Sequence, residues 1–274
     1  MAKFSVKFFI ALHCLTLIKV MQCISVEEDL TLTRSEKKAL DELKLRVEKN
    51  LPNDYMKKEV YLINWIRASD GNVDQAVKML KANLKWRKQN KMDNILREDF
   101  SYMEEEYPID LSGVDYTGRP VLLVRVGDWD VRRSHVTGEH DENYRYSIRA
   151  LELASQKVRD AQARGKLVTR FQVIFNMDGF SLVQHGCLQC IPPYLNFLRD
   201  FQNYFPGMVD NLVFINAPQS MKSIIQYFRP IVRPSFRKIL HIFGTDPAEW
   251  KPFLFKIIPS DQIEEHLERG KAQK

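Results

Sequence analysis

Cysteine is scarce in this 274-residue chain: there are four, and Cys14 and Cys23 fall in or beside the first 23 residues. Only Cys187 and Cys190 remain, which excludes a disulfide-stapled miniature domain. No second ligand pair stands at metal spacing, so no zinc or other metal site is expected. The C-x-x-C spacing would suit redox chemistry at a thioredoxin-like helix start, and the Pro192-Pro193 that comes next fits that poorly. The pair reads as two small apolar side chains on a helix edge, or, in a secreted chain, as a local disulfide. No N-x-[ST] sequon occurs. Beyond the N-terminus no apolar run is long enough to span a bilayer. The sequence also lacks a G-x-S-x-G elbow, an H-E-x-x-H pair, a G-x-G-x-x-G turn and a P-loop. No catalytic residue, enzyme activity or cofactor is therefore expected.

What is present is ordinary globular composition, 45% hydrophobic and 28% charged, with a formal charge of +6. Lys3, Lys7 and Lys19 contribute three of those charges, and the rest of the chain carries 38 basic against 35 acidic residues. That balance, with no basic stripe interleaved with aromatics, excludes a nucleic-acid binder. It can still aid docking to anionic lipid, at about 1 kcal/mol per well-placed cation. Lys3 and Lys7 precede an apolar run, Phe8 to Ile18, which has the layout of a secretory signal peptide over residues 1–23. The expected location is therefore secreted, with a cytoplasmic protein that docks transiently on membranes as the alternative.

Along the chain, Thr33 and Glu36 form a capping box before Leu40, Leu43 and Val47. Val60, Ile63 and Ile66 mark a second helix, and Asn72 caps a third that carries Val77, Leu80 and Leu84. Residues 33–90 thus predict an all-α module. After a connection the pattern alternates. Strands are expected at Val121–Val126, Phe171–Asn176, Leu212–Ile215 and Ile239–Phe243, and helices over 141–164 and 191–205. Strands alternating with helices predict an α/β domain, residues 97–270, with a mostly parallel, helix-covered sheet. Asp178 reads as a turn residue, His185 as solvated and His241 as lying on a sheet face. The runs Glu104–Glu106 and Arg132-Arg133 read as solvated surface, and the tail after Pro259 as short and polar.

The stretch Leu212 to Gly244 organises the rest. Met221, Ile224, Ile225 and Phe228 recur at helical spacing between two strands, and Pro230 and Pro234 hem them in. Such a helix packs as core or moves as a lid. YFPGMVDNLVFINAP, RPIVRPSFRKILHIFG, GRPV, VIFNMDGFSL and the helical YLINWIRASDGNVDQAVKMLKANLKWRK resemble the CRAL-TRIO (Sec14-like) lipid-binding family, from about Thr33 to about Ile263. The overall look is nearest to the animal Sec14-like proteins, whose further β-sandwich (GOLD) domain this chain stops short of.

The resemblance implies a hydrophobic pocket under a mobile gate helix. The gate falls on Met221, Ile224, Ile225, Tyr227 and Phe228, with its hinge near Pro230 and Pro234. Phe175, Tyr194, Leu198, Phe201 and Ile215 are expected to line the pocket. Family members that bind phosphatidylinositol use basic residues where Arg67 and Lys238 stand. Ser69, Asp70 and Gly207 depart from that headgroup pattern, which favours a tocopherol-, squalene- or retinoid-like lipid over a phospholipid. The implied function is a monomeric carrier that moves a small hydrophobic lipid between membrane surfaces. The alternative is a non-transferring regulatory or scaffold protein that uses the same fold to recruit partners.

Overall fold

Thr33 Oγ1 accepts from the Glu36 N–H at 3.1 Å while Glu36 Oε2 accepts from the Thr33 N–H at 2.8 Å, the reciprocal cap the sequence predicts. The computed structural model describes residues 26–269, except the side chains of Lys222, Tyr227 and residues 265–269. The leader, residues 1–23, lies outside these. Helix α1 (Val26–Leu30) precedes the capped α2 (Arg34–Val47). Then come α3 (Glu59–Ala68) and α4 (Val73–Gln89), whose first turn Asn72 caps at 2.9 Å. Leu40, Leu43, Leu62, Ile66 and Leu80 are sealed from water in one helical core.

An ion triad around the buried Glu152 and an aromatic stack join this bundle to the α/β domain. Arg87 grips Glu152 through two hydrogen bonds of 2.9 and 3.3 Å, and Arg159 adds a third at 2.9 Å. Trp86 stacks on Tyr204 with ring centroids 4.3 Å apart. Burial alone would raise the Glu152 pKa, but Arg87 and Arg159 outweigh it and hold the carboxyl below its usual range.

The remainder runs α5 (Ser101–Glu106), β1 (Ile109–Asp110), β2 (Val121–Arg125), α6 (Val131–Val136), α7 (His140–Ala163), β3 (Phe171–Asn176) and α8 (Ile191–Tyr204). It continues with β4 (Val209–Ile215), α9 (Gln219–Phe228), α10 (Pro234–Ile239), β5 (Leu240–Ile242), α11 (Pro247–Ile257) and α12 (Ser260–Arg269). The strands form one sheet in the order β1-β2-β3-β4-β5, with β1 antiparallel and the rest parallel. Helices α7 and α8 cover one face, and α11 and α12 the other.

Glu104, Glu105, Arg132 and Arg133 are exposed surface, as expected; Glu104 and Glu106 belong to the short α5 and pair with Arg149 (2.8 Å) and Arg133 (2.5 Å). Other expectations need correction. The tail after Pro259 is helical, and Ile263 buries itself under the sheet. The last strand is shorter than expected because Ile239 closes α10 instead. His185 is buried, not solvated: its Nδ1 accepts from the Ser181 N–H at 2.9 Å and its ring stacks on Phe180. Cys187 and Cys190 are not free apolar side chains but a disulfide at the start of α8. Asp178 sits in a turn, as expected, and Gly127 packs against that turn closely. A Cβ on Gly127 would stand 1.8 Å from the Asp178 carbonyl oxygen, so only glycine fits.

Candidate functional site

Register decides which side chains share a face, because paired residues in a parallel sheet point the same way. Val124 pairs with Phe175, Phe175 with Phe214, and Phe214 with Ile242. This row forms an apolar floor near the C-terminal ends of the strands. Phe175 and Phe214 stack at 5.0 Å and both remain half-buried, so the floor keeps accessible surface. The neighbouring row, Leu123, Ile174, Val213 and His241, faces the other way, toward α11. His241 Nε2 lies 3.0 Å from Asn211 Oδ1 and its ring 4.5 Å from that of Phe253.

Ile215 shares the parity of Val213, not of Phe214. It is fully buried among Trp250, Leu254 and Ile258 on the opposite face from Phe175. Its expected place among the pocket residues is corrected accordingly. A small void of about 20 Å³ borders it there, beside Leu123, Ile174 and Ile263.

Helix α8 supplies a wall. Phe201 is buried and meets Phe236 edge-on at 4.7 Å, which makes it core rather than lining. Leu198 is half-buried against the same cluster as Phe175 and Phe214. Tyr194 keeps 37% of its surface accessible, yet the protein around it desolvates the phenol and pushes its pKa up.

Helix α9 is the lid candidate. Met221, Ile224, Ile225 and Phe228 lie at i, i+3, i+4 and i+7, a single stripe. None is buried, and none joins the hydrophobic clusters of the described residues. The side chain of Tyr227 lies outside the described residues. Polar anchors hold both ends. Before the helix, Asn216 sits at φ +54°, a left-handed conformation that asparagine tolerates. It donates to Asn176 Oδ1 at 2.9 Å and accepts from Trp250 Nε1 at 3.2 Å. After the helix, the Arg233 N–H donates to Gln202 Oε1 at 2.7 Å, and its guanidinium to the Gln202 carbonyl at 3.0 Å. Pro230 falls in the turn between helix and anchor, and Pro234 opens α10. Neither Asn216 nor the Arg233–Gln202 pair shows in the sequence, where only the prolines suggest a hinge.

A family model described as the CRAL/TRIO domain matches residues 104–268, more than half of the chain. The chain belongs to the CRAL/TRIO family. The Sec14 cytosolic factor of Schizosaccharomyces pombe is 23% identical over 240 residues, covering 85% of this chain and 81% of that protein. The protein named real-time from Anopheles gambiae is 24% identical over 210 residues, 75% of this chain. The chain spans about a third of the length of the real-time proteins it matches. Among solved structures, the crystal structure of Sfh5 superposes with a TM-score of 0.64 at 16% identity, covering 80% of this chain and 83% of that one. The fold is therefore a Sec14-like CRAL-TRIO fold, and the family is one of lipid-binding and transfer proteins rather than enzymes.

Against that CRAL-TRIO frame, the two basic positions separate. Arg67 is engaged inside the protein: Nη1 donates to Asp29 Oδ1 at 2.7 Å and Nε to Glu36 Oε1 at 2.8 Å. Arg170 donates to the same Asp29 carboxylate at 2.6 and 3.1 Å. Lys238 stands exposed on α10. Gly207 adopts φ +68°, and a Cβ there would lie 2.4 Å from Asn64 Oδ1. The space a larger side chain at 207 would need is taken by Asn64. Among the described residues no group of three or more His, Cys, Asp or Glu could hold a metal ion.

Proposed function

We propose that this CRAL-TRIO protein carries one small hydrophobic lipid between membranes. The lipid rests on the Phe175–Phe214 floor against Tyr194 and Leu198, and α9 gates it. The observation that carries this reading is the α9 stripe: four large apolar side chains at helical spacing, none buried, between two polar anchors. A helix that was part of the core would bury that stripe. A lid leaves it half-covered, available to lipid when open and to the pocket when closed. Removing apolar ligand surface from water stabilises the complex by roughly 25 cal/mol per Å². A ligand shifts such a lid only through different contacts in its two positions.

The occupied Arg67 and the filled space at Gly207 favour a lipid with little headgroup, tocopherol-, squalene- or retinoid-like, over phosphatidylinositol. Residues 33–90 serve as the helical module and 97–270 as the carrier domain, acting as a monomer. The match to a protein named Sec14 cytosolic factor supports work in the cytoplasm with transient membrane docking, and the Cys187–Cys190 disulfide supports secretion. Sequencing the mature N-terminus checks this, since a start near Ile24 means secretion.

Native mass spectrometry of protein made in eukaryotic cells tests the carrier reading. A co-purified lipid supports it, and a protein that holds none is a recruiting module instead. Ile225→Asp with Phe228→Asp should cut vesicle-to-vesicle transfer about tenfold or more while leaving the fold intact. Unchanged transfer would remove the gate assignment.

A further inference from the structure

Residues 179–198 contain no Asp, Glu, Lys or Arg. The first half of this run is a tongue that leaves the C-terminal end of β3 and returns at the start of α8, where the Cys187–Cys190 bond ties it. Three large aliphatic side chains stand out from it: Leu182 at 51%, Val183 at 63% and Leu188 at 82% accessible.

Part of the tongue's backbone is paired from within. The Ser181 N–H donates to His185 Nδ1 at 2.9 Å, Val183 to Ser181 Oγ at 3.2 Å and His185 to the Ser181 carbonyl at 2.8 Å. Gly186 donates to the Leu182 carbonyl at 3.0 Å and Cys190 to that of Cys187 at 2.8 Å. The Gln184 carbonyl is taken from below by the Arg132 N–H at 2.9 Å. A loop normally stays in water because its peptide groups need partners there. This one supplies about half of its own, lacks fixed charge and presents bare aliphatics. Those features suit the interfacial region of a bilayer, where the remaining peptide groups still meet water and headgroups.

We propose that this disulfide-clipped tongue is a membrane-docking element, inserting Leu182, Val183 and Leu188 into the interfacial region of a lipid bilayer. It deepens the carrier reading by naming what the protein touches when α9 opens. β3 and β4 are parallel neighbours, so the tongue and α9 leave the sheet from the same end of the strands. The segment that holds α9, residues 211–245, contains five Lys or Arg and no Asp or Glu, so nothing on it repels an anionic headgroup. A protein partner fits less well, because binding hot spots favour Trp, Tyr and Arg over Leu and Val.

The test is co-sedimentation of the full chain with neutral phosphatidylcholine vesicles, with lipid occupancy read in parallel by native mass spectrometry. Leu182→Asp with Leu188→Asp should lower vesicle binding about tenfold or more at unchanged occupancy. Leu188→Trp, at the most exposed of the three positions, should gain a blue-shifted emission on vesicles that brominated lipid quenches. Wild-type protein that ignores vesicles, binding that survives the double substitution, or an introduced tryptophan that stays unquenched would each overturn the docking assignment. An empty pocket with quenched tryptophan would remove the carrier reading and leave the docking element standing.

Discussion

The main-chain N–H of Arg233 donates to the side-chain oxygen of Gln202 at 2.7 Å, tying the segment after α9 to α8. Gln202 is 5% exposed and a residue of α8, so this anchor is rooted in a buried helix. Gln202→Ala removes the acceptor and costs about 1 kcal/mol locally. Hydrogen exchange of amides 219–232 should speed up several-fold, with the strand amides unchanged. Equal exchange in the two proteins would show that the anchor does not restrain the lid.

Glu152 is 4% exposed and holds both Arg87 and Arg159. Glu152→Ala removes the shared carboxylate from two partly buried guanidinium groups between the helical bundle and the α/β part. Removing one partner of such a set costs about 3–5 kcal/mol. Urea denaturation should show a midpoint lowered in proportion, and a change below about 1 kcal/mol would mean that water reaches the triad easily.

Acid should release α1. Burial by itself would raise the Asp29 pKa, but the hydrogen bonds and charges of Arg170 and Arg67 prevail and hold it below the usual value. A carboxyl depressed in the folded state adds stability above its unfolded pKa, about 3.9, and loses it as pH falls through the folded value. Wild-type protein should therefore lose stability below about pH 4 more steeply than Asp29→Asn does. Melting temperatures measured between about pH 2.5 and pH 6 check this. Parallel curves would contradict it.

Gly207→Glu meets Asn64 at 2.4 Å with a strained φ of +68°. The substitution should cost about 1–3 kcal/mol and should not confer phosphatidylinositol binding. Pairing it with Asn64→Ala should recover part of the stability. Vesicle-transfer assays with labelled phosphatidylinositol and thermal melts of the single and double variants measure both effects.

Cys187→Ser with Cys190→Ser opens a loop of only a few residues, worth about 2 kcal/mol in chain entropy. The tongue should become more susceptible to proteolysis between residues 181 and 190, with the sheet unaffected. A protease pattern identical to wild type would show that the hydrogen bonds of His185 and Gln184 hold the tongue without the disulfide.

Much of the scaffold was legible because it is long and periodic. The 24-residue α7 shows its buried face through Ile148, Leu151 and Val158, and β3 announces itself as a compact apolar run. The six-residue helices α5, α6 and α10 hold less than two turns each, too few for a repeat to show. Ile215 was misplaced for a related reason: in an apolar run buried on both faces, alternation disappears, and only register tells the two sides apart. The lid's stripe could be read from four residues. Its anchors could not, since Asn216–Asn176 and Arg233–Gln202 join residues 40 and 31 positions apart.

Because no described side chain of α9 joins a hydrophobic cluster, displacing that helix would leave those cores intact. Calorimetry would then report the cooperative transition of the cores, with only the half-covered stripe adding to the heat capacity, since heat capacity follows apolar surface exposed. Substitutions in the stripe and in the cores would therefore act on separate properties of the molecule.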